Sequence, residues 1–262
     1  LGRAAYAMPE GMNMYATIEL KKLLSGVIIL LAVLIPGTLY LMARQNQNSA
    51  IEAGAWGLSF QTPGQPPKAD ATADQLKLYD AKYIGDTSRK TIYLTFDCGY
   101  ENGYTEQMLD TLKKHNAKAC FFVTQTYIRD NVELVKRMKE EGHQVGNHTV
   151  THPSMPGISV EKQKEELQTC ADYMKEATGY RMDPYFRPPS GEYSERVLQL
   201  AKDMGYKTIF WSMAYLDYDV NNQPGKDYVI EHFDKYYHNG AIPLMHNVSE
   251  SNAQALDTVL SN

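Results

Sequence analysis

Apolar and polar positions alternate in a regular order through the second two-thirds of this chain. Thr91, Ile92, Tyr93, Leu94, Thr95 and Phe96 alternate with period two and are β-branched or aromatic, which predicts a strand. Residues 119–123 (Ala119, Cys120, Phe121, Phe122, Val123) are continuously apolar, the pattern of a strand buried on both faces. Residues 206–211 and 241–245 look similar, although Pro243 removes a ladder donor from the second. Residues 143–147 and 184–186 are two weaker strands. Helical periodicity fills the gaps. One helix carries Met108, Leu109 and Leu112, and a second carries Val132, Val135 and Met138 and ends at Gly142. A third starts with Ser159 as N-cap and carries Leu167, Cys170, Met174 and Ala177 before Gly179. A fourth, with Val197, Leu198, Ala201 and Met204, stops at Gly205, and a fifth, with Val229, Ile230, Phe233 and Tyr237, stops at Gly240. Such alternation predicts an α/β domain of βαβ units on a parallel sheet, open or closed into a barrel.

Either architecture places a ligand site at the carboxyl ends of the strands. Asp97, His148, Arg187, Asp217 and His246 each fall at or shortly after the end of a predicted strand, so five chemically useful side chains share one face. His148 and His152 are four apart, a spacing that lets two imidazoles face one metal ion; alone, it fits solvated loop histidines equally well. His115, His143, His232 and His238 lie in helical or helix-end text and read as surface residues.

Outside this region the pattern changes. Residues 23–42 are twenty uncharged, mostly apolar positions, about what one bilayer crossing requires, and they predict a transmembrane helix. Lys21 and Lys22 before it and Arg44 after it favour residues 1–22 on the cytoplasmic side and the domain outside. The stretch exceeds a usual signal-peptide core, and the small-residue site Ala53-Gly54-Ala55 lies far beyond it, so an uncleaved single-pass anchor is expected. The chain opens on Leu1, and Met14 is a candidate start. Residues 43–87, with Pro63, Gly64, Pro66 and Pro67, read as a linker or loosely packed arm, leaving 88–262 as the folded domain. A net charge of −5 and a pI near 5.8 argue against nucleic acid as a partner. Three cysteines make no closed disulfide set; Cys120 and Cys170 read as buried and inert, whereas Cys98 directly follows Asp97.

Five segments in order resemble the motifs of the polysaccharide deacetylases, carbohydrate esterase family 4 or NodB-homology domains. They are Thr95-Phe96-Asp97-Cys98-Gly99, His148-Thr149-Val150-Thr151-His152, Arg187-Pro188-Pro189-Ser190-Gly191, Trp211 through Asp217, and Leu244-Met245-His246. The run Gly99-Tyr100-Glu101-Asn102-Gly103-Tyr104, the Trp211–Asp217 segment and His246-Asn247-Val248-Ser249 look like the branch acting on N-acetylmuramic acid in peptidoglycan, which prepares muramic δ-lactam in spore cortex. The resemblance implies a distorted parallel β/α barrel with fewer than eight strands and a monomeric, metal-dependent hydrolase of peptidoglycan glycan strands. It also implies roles. Asp97 is the general base, oriented by Arg187. His148 and His152 hold a divalent metal, and His246 is the acid, oriented by Asp217. Ser190, through its backbone N–H, and Trp211 face the oxyanion and substrate.

The chain departs from the family at position 98, where most members carry a third metal ligand, an Asp. A Cys98 thiolate would complete a Cys-His-His set favouring Zn²⁺; alternatively Cys98 is buried filler. The family's last strand and helix are expected to be missing or cut short after Asn262. Two other functions stay open: deacetylation of chitin-like N-acetylglucosamine polymers, and a catalytically inactive glycan-binding module.

Overall fold

The structure is a computed structural model that describes residues 54–59 and 62–262. The expected transmembrane helix at 23–42, the segment 1–22 before it and residues 43–53 lie outside these described residues. Among the described residues no helix is long and apolar enough to cross a membrane.

Seven parallel strands form one curled sheet, a half-barrel, in the order β11-β5-β6-β7-β8-β10-β4. They are β4 (Ala81–Lys82), β5 (Leu94–Cys98), β6 (Ala119–Val123), β7 (Gln144–Asn147), β8 (Tyr185–Phe186), β10 (Lys207–Ile209) and β11 (Leu244–His246). Four short strands lie outside it. β1 (Gly54–Ala55) pairs antiparallel with β9 (Glu192–Tyr193), and β2 (Leu58–Ser59) pairs antiparallel with β3 (Lys68–Ala69).

Helices cover the outside of the curl. They are α1 (Ala73–Lys77), α2 (Thr105–Lys114), α3 (Gln125–Asp130), α4 (Val132–Glu140), α5 (Val160–Thr178), α6 (Glu195–Asp203), α7 (Lys226–Tyr236) and α8 (Glu250–Ser261). The sequence signals explain their limits. Ser159 caps α5 by accepting from the Lys162 N–H, and Gly179 ends the helix in the left-handed conformation (φ 81°). For α7 the expected stop is misplaced: the helix ends at Tyr236, and Gly240 (φ 78°) instead permits a close approach to the Gly85 backbone.

Alternation along the central strands sorts their side chains into two layers. Leu94, Phe96 and Cys98 of β5, with Ala119, Phe121 and Val123 of β6, pack beneath Met108, Leu112, Val135 and other helix residues in the main core. Phe122, Ile209 and Ile242 form a separate cluster inside the curl. Both faces of β5 and β6 are buried, which is why β6 reads as a continuous apolar run.

Two expectations are corrected by this packing. The described part of the presumed linker is folded onto the domain: β4 completes the sheet edge, and Trp56, Leu76 and Tyr83 are buried with Tyr193, Phe210 and Trp211. Its Pro, Gly and polar residues mark turns between very short elements, so periodicity has nothing to act on. The histidines expected at the surface are also mostly inside. His143, His232 and His238 are buried, and only His115 is part-exposed. His143 accepts from the Ala119 N–H, His232 sits among the Tyr215, Tyr228 and Tyr236 rings, and His238 bonds Ser212. Each imidazole satisfies a local contact that sequence position does not reveal.

The predicted strand 206–211 also divides. Its first part pairs with β4 and β8, and the chain beyond it crosses to β11, where Met213 and Pro243 form a parallel bridge. Ser212 and Met213 donate to the Ile242 carbonyl, and Leu244 donates to Met213. This crossing brings residues 211–218 over the carboxyl ends of the strands.

Candidate active site

The carboxyl ends of β5 and β11 carry Asp97 and His246 side by side, because the two strands pair in parallel with His246 opposite Asp97. A cleft of about 760 Å³ opens there, lined by Asp97, His148, His152, Ser190, Trp211, Tyr218 and His246 among others.

Asp97 is nearly buried. One carboxylate oxygen, Oδ1, accepts from Arg187 Nη1 at 2.7 Å, and the other lies 3.6 Å from His148 Nε2. Burial pushes its carboxyl pKa up, but the nearby charges of Arg187, His148 and His246 outweigh this and hold it below the ordinary 3.8. Asp97 is therefore anionic at neutral pH, with one oxygen free of the guanidinium.

Arg187, at the end of β8, is fully buried. It is sustained by four acceptors: the Ile209 carbonyl at 2.9 Å, Asp97, the Thr95 hydroxyl at 2.9 Å and the Phe210 carbonyl. Its guanidinium also lies over the Phe122 ring, 4.3 Å from the centroid. A cation so enclosed is fixed in position, which suits orientation of a carboxylate better than lysine would.

His148 Nδ1 lies 2.8 Å from the Arg187 carbonyl, which can only accept, so Nδ1 carries the hydrogen and Nε2 presents a lone pair to the cleft. Burial is the main cause that takes its pKa down to about 4, so the ring is neutral. Two electron-pair donors, His148 Nε2 and Asp97 Oδ2, thus face each other without a hydrogen between them, an arrangement that favours a cation. The His152 ring stands 4.9 Å from the His148 ring. The two imidazoles fit a divalent metal by donor chemistry. Among the described residues, however, no group of three or more His, Cys, Asp or Glu side chains is arranged to hold one.

The turn carrying these histidines needs left-handed backbone at Thr149 (φ 73°) and His152 (φ 57°). Non-glycine residues adopt this at a cost of about 1–3 kcal/mol each. Side chains offset it. The buried Glu166 carboxylate accepts from the Val150 and Thr151 N–H groups and the Thr151 hydroxyl, all at 2.8 Å, while Asn147 accepts from the Thr149 N–H.

His246 Nδ1 and Asp217 Oδ1 are 2.6 Å apart, and the other Asp217 oxygen accepts from the His246 N–H and from Asn252 Nδ2. Burial lowers the imidazole pKa, but the hydrogen bond and charge of Asp217 outweigh it and raise the value above the ordinary 6.5. With Nδ1–H donated to Asp217, Nε2 is the atom left for the cleft. Ser190, left-handed at φ 55°, and Trp211 form part of the wall; the Trp211 carbonyl accepts from the Trp56 indole at 2.9 Å.

Cys98 is the exception. As the next residue on β5 its side chain points to the opposite face from Asp97, into the core with Phe96 and Met108. Its thiol bonds the Phe96 carbonyl, and burial foremost drives its pKa well above 9. The buried-filler alternative describes this thiol; the thiolate ligand expected from position 98 does not form here.

Sequence reading missed several residues that build the site: Thr95, Asn147, Glu166, Asn252 and Tyr218, whose ring lies 5.6 Å from His246. Glu166 left one trace, since it falls four residues before Cys170 on the apolar stripe of α5, where a carboxylate needs internal donors. The others carry no pattern of their own.

The polysaccharide deacetylase family profile matches residues 84–209. The peptidoglycan-N-acetylmuramic acid deacetylase PdaA of Bacillus subtilis is 45% identical over 208 residues, covering 79% of this chain and 79% of that protein. This chain belongs to the polysaccharide deacetylases. It is a hydrolase acting on carbon–nitrogen bonds other than peptide bonds. The solved structure of B. subtilis PdaA, a family 4 carbohydrate esterase, superposes with a TM-score of 0.76 over 80% of this chain and 90% of that one. A family 4 pseudoenzyme from Bacillus anthracis, 31% identical, superposes with a TM-score of 0.64 over 69% of this chain and 63% of that one.

Proposed function

We propose that this deacetylase removes the acetyl group from N-acetylmuramic acid residues of peptidoglycan glycan strands. The observation that carries the chemistry is the placing of Asp97 and His246 at one register of two adjacent strands, each side chain held by a charged partner, Arg187 for the carboxylate and Asp217 for the imidazole. The N-acetylmuramic acid assignment is supported by the likeness to PdaA. An inactive glycan-binding module has no use for a matched base and acid, although the likeness to a pseudoenzyme shows that the fold alone does not guarantee turnover.

Asp97 Oδ2 takes a proton from water, whose oxygen attacks the acetyl carbonyl carbon. Arg187 holds Oδ1 and keeps the carboxylate from turning away. As the C–N bond breaks, His246 Nε2–H gives its proton to the departing nitrogen, and Asp217 stabilises the imidazolium until that moment. The products are acetate and an amine. His148 and His152 would hold a divalent cation, Zn²⁺ by donor type; when bound it supplies Lewis-acid polarisation of the acetyl oxygen and a more acidic water. The Ser190 backbone N–H is proposed as a further oxyanion donor. On a muramic residue, attack of the freed amine on the lactyl carboxyl carbon with loss of water would give the δ-lactam, a separate condensation step after deacetylation. We further propose that residues 23–42 anchor the domain outside the membrane, which membrane pelleting with detergent release would test.

The test of substrate is mass spectrometry of glycan strands, with and without stem peptides, after incubation with the protein and added zinc. Loss of acetyl from muramic residues is expected. Loss confined to glucosamine residues would favour the alternative of N-acetylglucosamine polymers, and no loss would favour the binding module.

A further inference from the structure

Beyond the paired ends of β5 and β11, the two chains that carry the base and the acid separate into loops. The last main-chain bond between them runs from the Asn247 N–H to the Asp97 carbonyl. Past that point side chains hold the loops together. The buried Asn247 amide nitrogen lies 3.0 Å from the Tyr100 carbonyl, 3.1 Å from Glu101 Oε2 and 2.9 Å from the Thr105 hydroxyl. Asn102 Nδ2 reaches across in the other direction to the Val248 carbonyl at 3.0 Å.

Glu101 is the hub of this junction. Besides Asn247 it accepts from the Gly103 N–H at 2.7 Å, the Thr105 N–H at 3.3 Å, the Thr105 hydroxyl and the Tyr127 hydroxyl at 3.0 Å. Those donors belong to the start of α2 and to α3, so the hub is fixed to rigid elements. The Asn247 side-chain oxygen, Oδ1, is buried and has no hydrogen-bond partner among the described residues. Retaining an amide there carries a desolvation penalty of about 1–3 kcal/mol, which its nitrogen contacts must offset. The three acceptors around Nδ2 also fix which way the amide points.

We propose that Glu101 and Asn247, with Asn102, form a clamp that sets the separation of Asp97 from His246, making Glu101 a positioning residue for deacetylation. The proposal rests on the base and acid roles assigned above. It also gives the run Tyr100-Glu101-Asn102-Gly103, which no part of the chemistry uses, a physical purpose. Asp97 and His246 reach the same substrate bond from different loops, and a 1 Å misplacement of a reacting group lowers rates by up to about 100-fold. Glu101 itself touches neither reacting side chain, so its loss acts through geometry.

The test is acetate release from peptidoglycan glycan strands freed of stem peptides, with thermal midpoints recorded for every variant. Glu101→Ala should lower kcat about 10- to 100-fold with KM held within about two-fold. Glu101→Gln keeps one acceptor oxygen but turns an NH2 toward either the Gly103 and Thr105 N–H groups or Asn247 and Tyr127, so it should recover only part of that loss. Glu101→Ala combined with Asn247→Ala should lose no more than Glu101→Ala alone, because both remove one junction. A kcat within about two-fold of wild type for Glu101→Ala, a loss that appears in KM instead of kcat, or additive losses would each overturn the clamp. If Glu101→Ala does not fold, the exposed Asn102→Ala decides: a lowered kcat at constant KM supports the clamp, and an unchanged kcat rejects it. Asp97→Asn and His246→Gln, assayed alongside, separate the two ideas. If they keep activity the acid–base reading fails, whereas their loss beside an unaffected Glu101→Ala rejects the clamp alone.

Discussion

At the scale of single residues, the site works because two ionisable groups are pushed in opposite directions. Burial raises the Asp97 carboxyl pKa, but Arg187 and its neighbours outweigh it and lower the value, whereas burial lowers the His246 pKa and Asp217 outweighs it and raises the value. Catalysis by His246 as an acid needs the protonated ring, so kcat/KM should fall as pH rises through its raised pKa. Asp217→Asn keeps the side-chain shape but removes the charge. Burial then acts with less opposition, and the alkaline limb of the pH–rate profile should move to lower pH, with a lower kcat. An unmoved limb would show that Asp217 does not set the acid. Stability follows the same sign: the pair's contribution is complete below the ordinary 6.5 and is lost as pH rises through the folded value. Asp97, Arg187, Asp217 and His246 could be located in the sequence because each follows a recognisable strand or motif. Thr95, Asn147 and Asn252 could not, since a hydrogen-bonding side chain shows its importance only through a partner distant in the chain.

At the scale of elements, β5 decides between the two alternatives left open for Cys98. Adjacent residues of a strand point to opposite faces, and here Asp97 faces the cleft while Cys98 packs with Phe96 in the core. The motif at 95–99 reports a position in the sequence, and the pleat decides what that position faces. Cys98→Ala should therefore leave zinc affinity unchanged and lower stability by about 1–2 kcal/mol through a small core cavity. Calorimetric zinc titration and a thermal melt check both halves. A sharp fall in zinc affinity would show that the thiol reaches the metal. Longer elements were readable from periodicity: α5 has both its cap and its stop signal, and β6 matches its predicted bounds of 119–123. The six residues of α3 are too short for periodicity to register, and α8 packs through small Ala253 and Ala255 as well as Leu256, which weakens its apolar signal.

At the scale of the whole molecule, the half-barrel is a device for bringing distant segments to one rim. Asp97, His148, Arg187 and His246 come from four strands or strand ends, and Asp217 arrives on the chain that crosses from β10 to β11. The parallel sheet was legible as an alternation of strands and helices. Its closure was not, because residues 210–213 leave the strand register partway through a single apolar run. The packing of Trp56 against Phe210, with ring centroids 4.4 Å apart, was equally hidden, since it joins segments about 150 residues apart in the chain. The account centres on Asp97 as the base of a working deacetylase, and the most direct measurement is acetate release by purified wild type and Asp97→Asn. A folded Asp97→Asn protein with activity reduced by about 10²–10⁴-fold is the predicted result. A loss smaller than about ten-fold, well short of what general-base catalysis contributes, would contradict it.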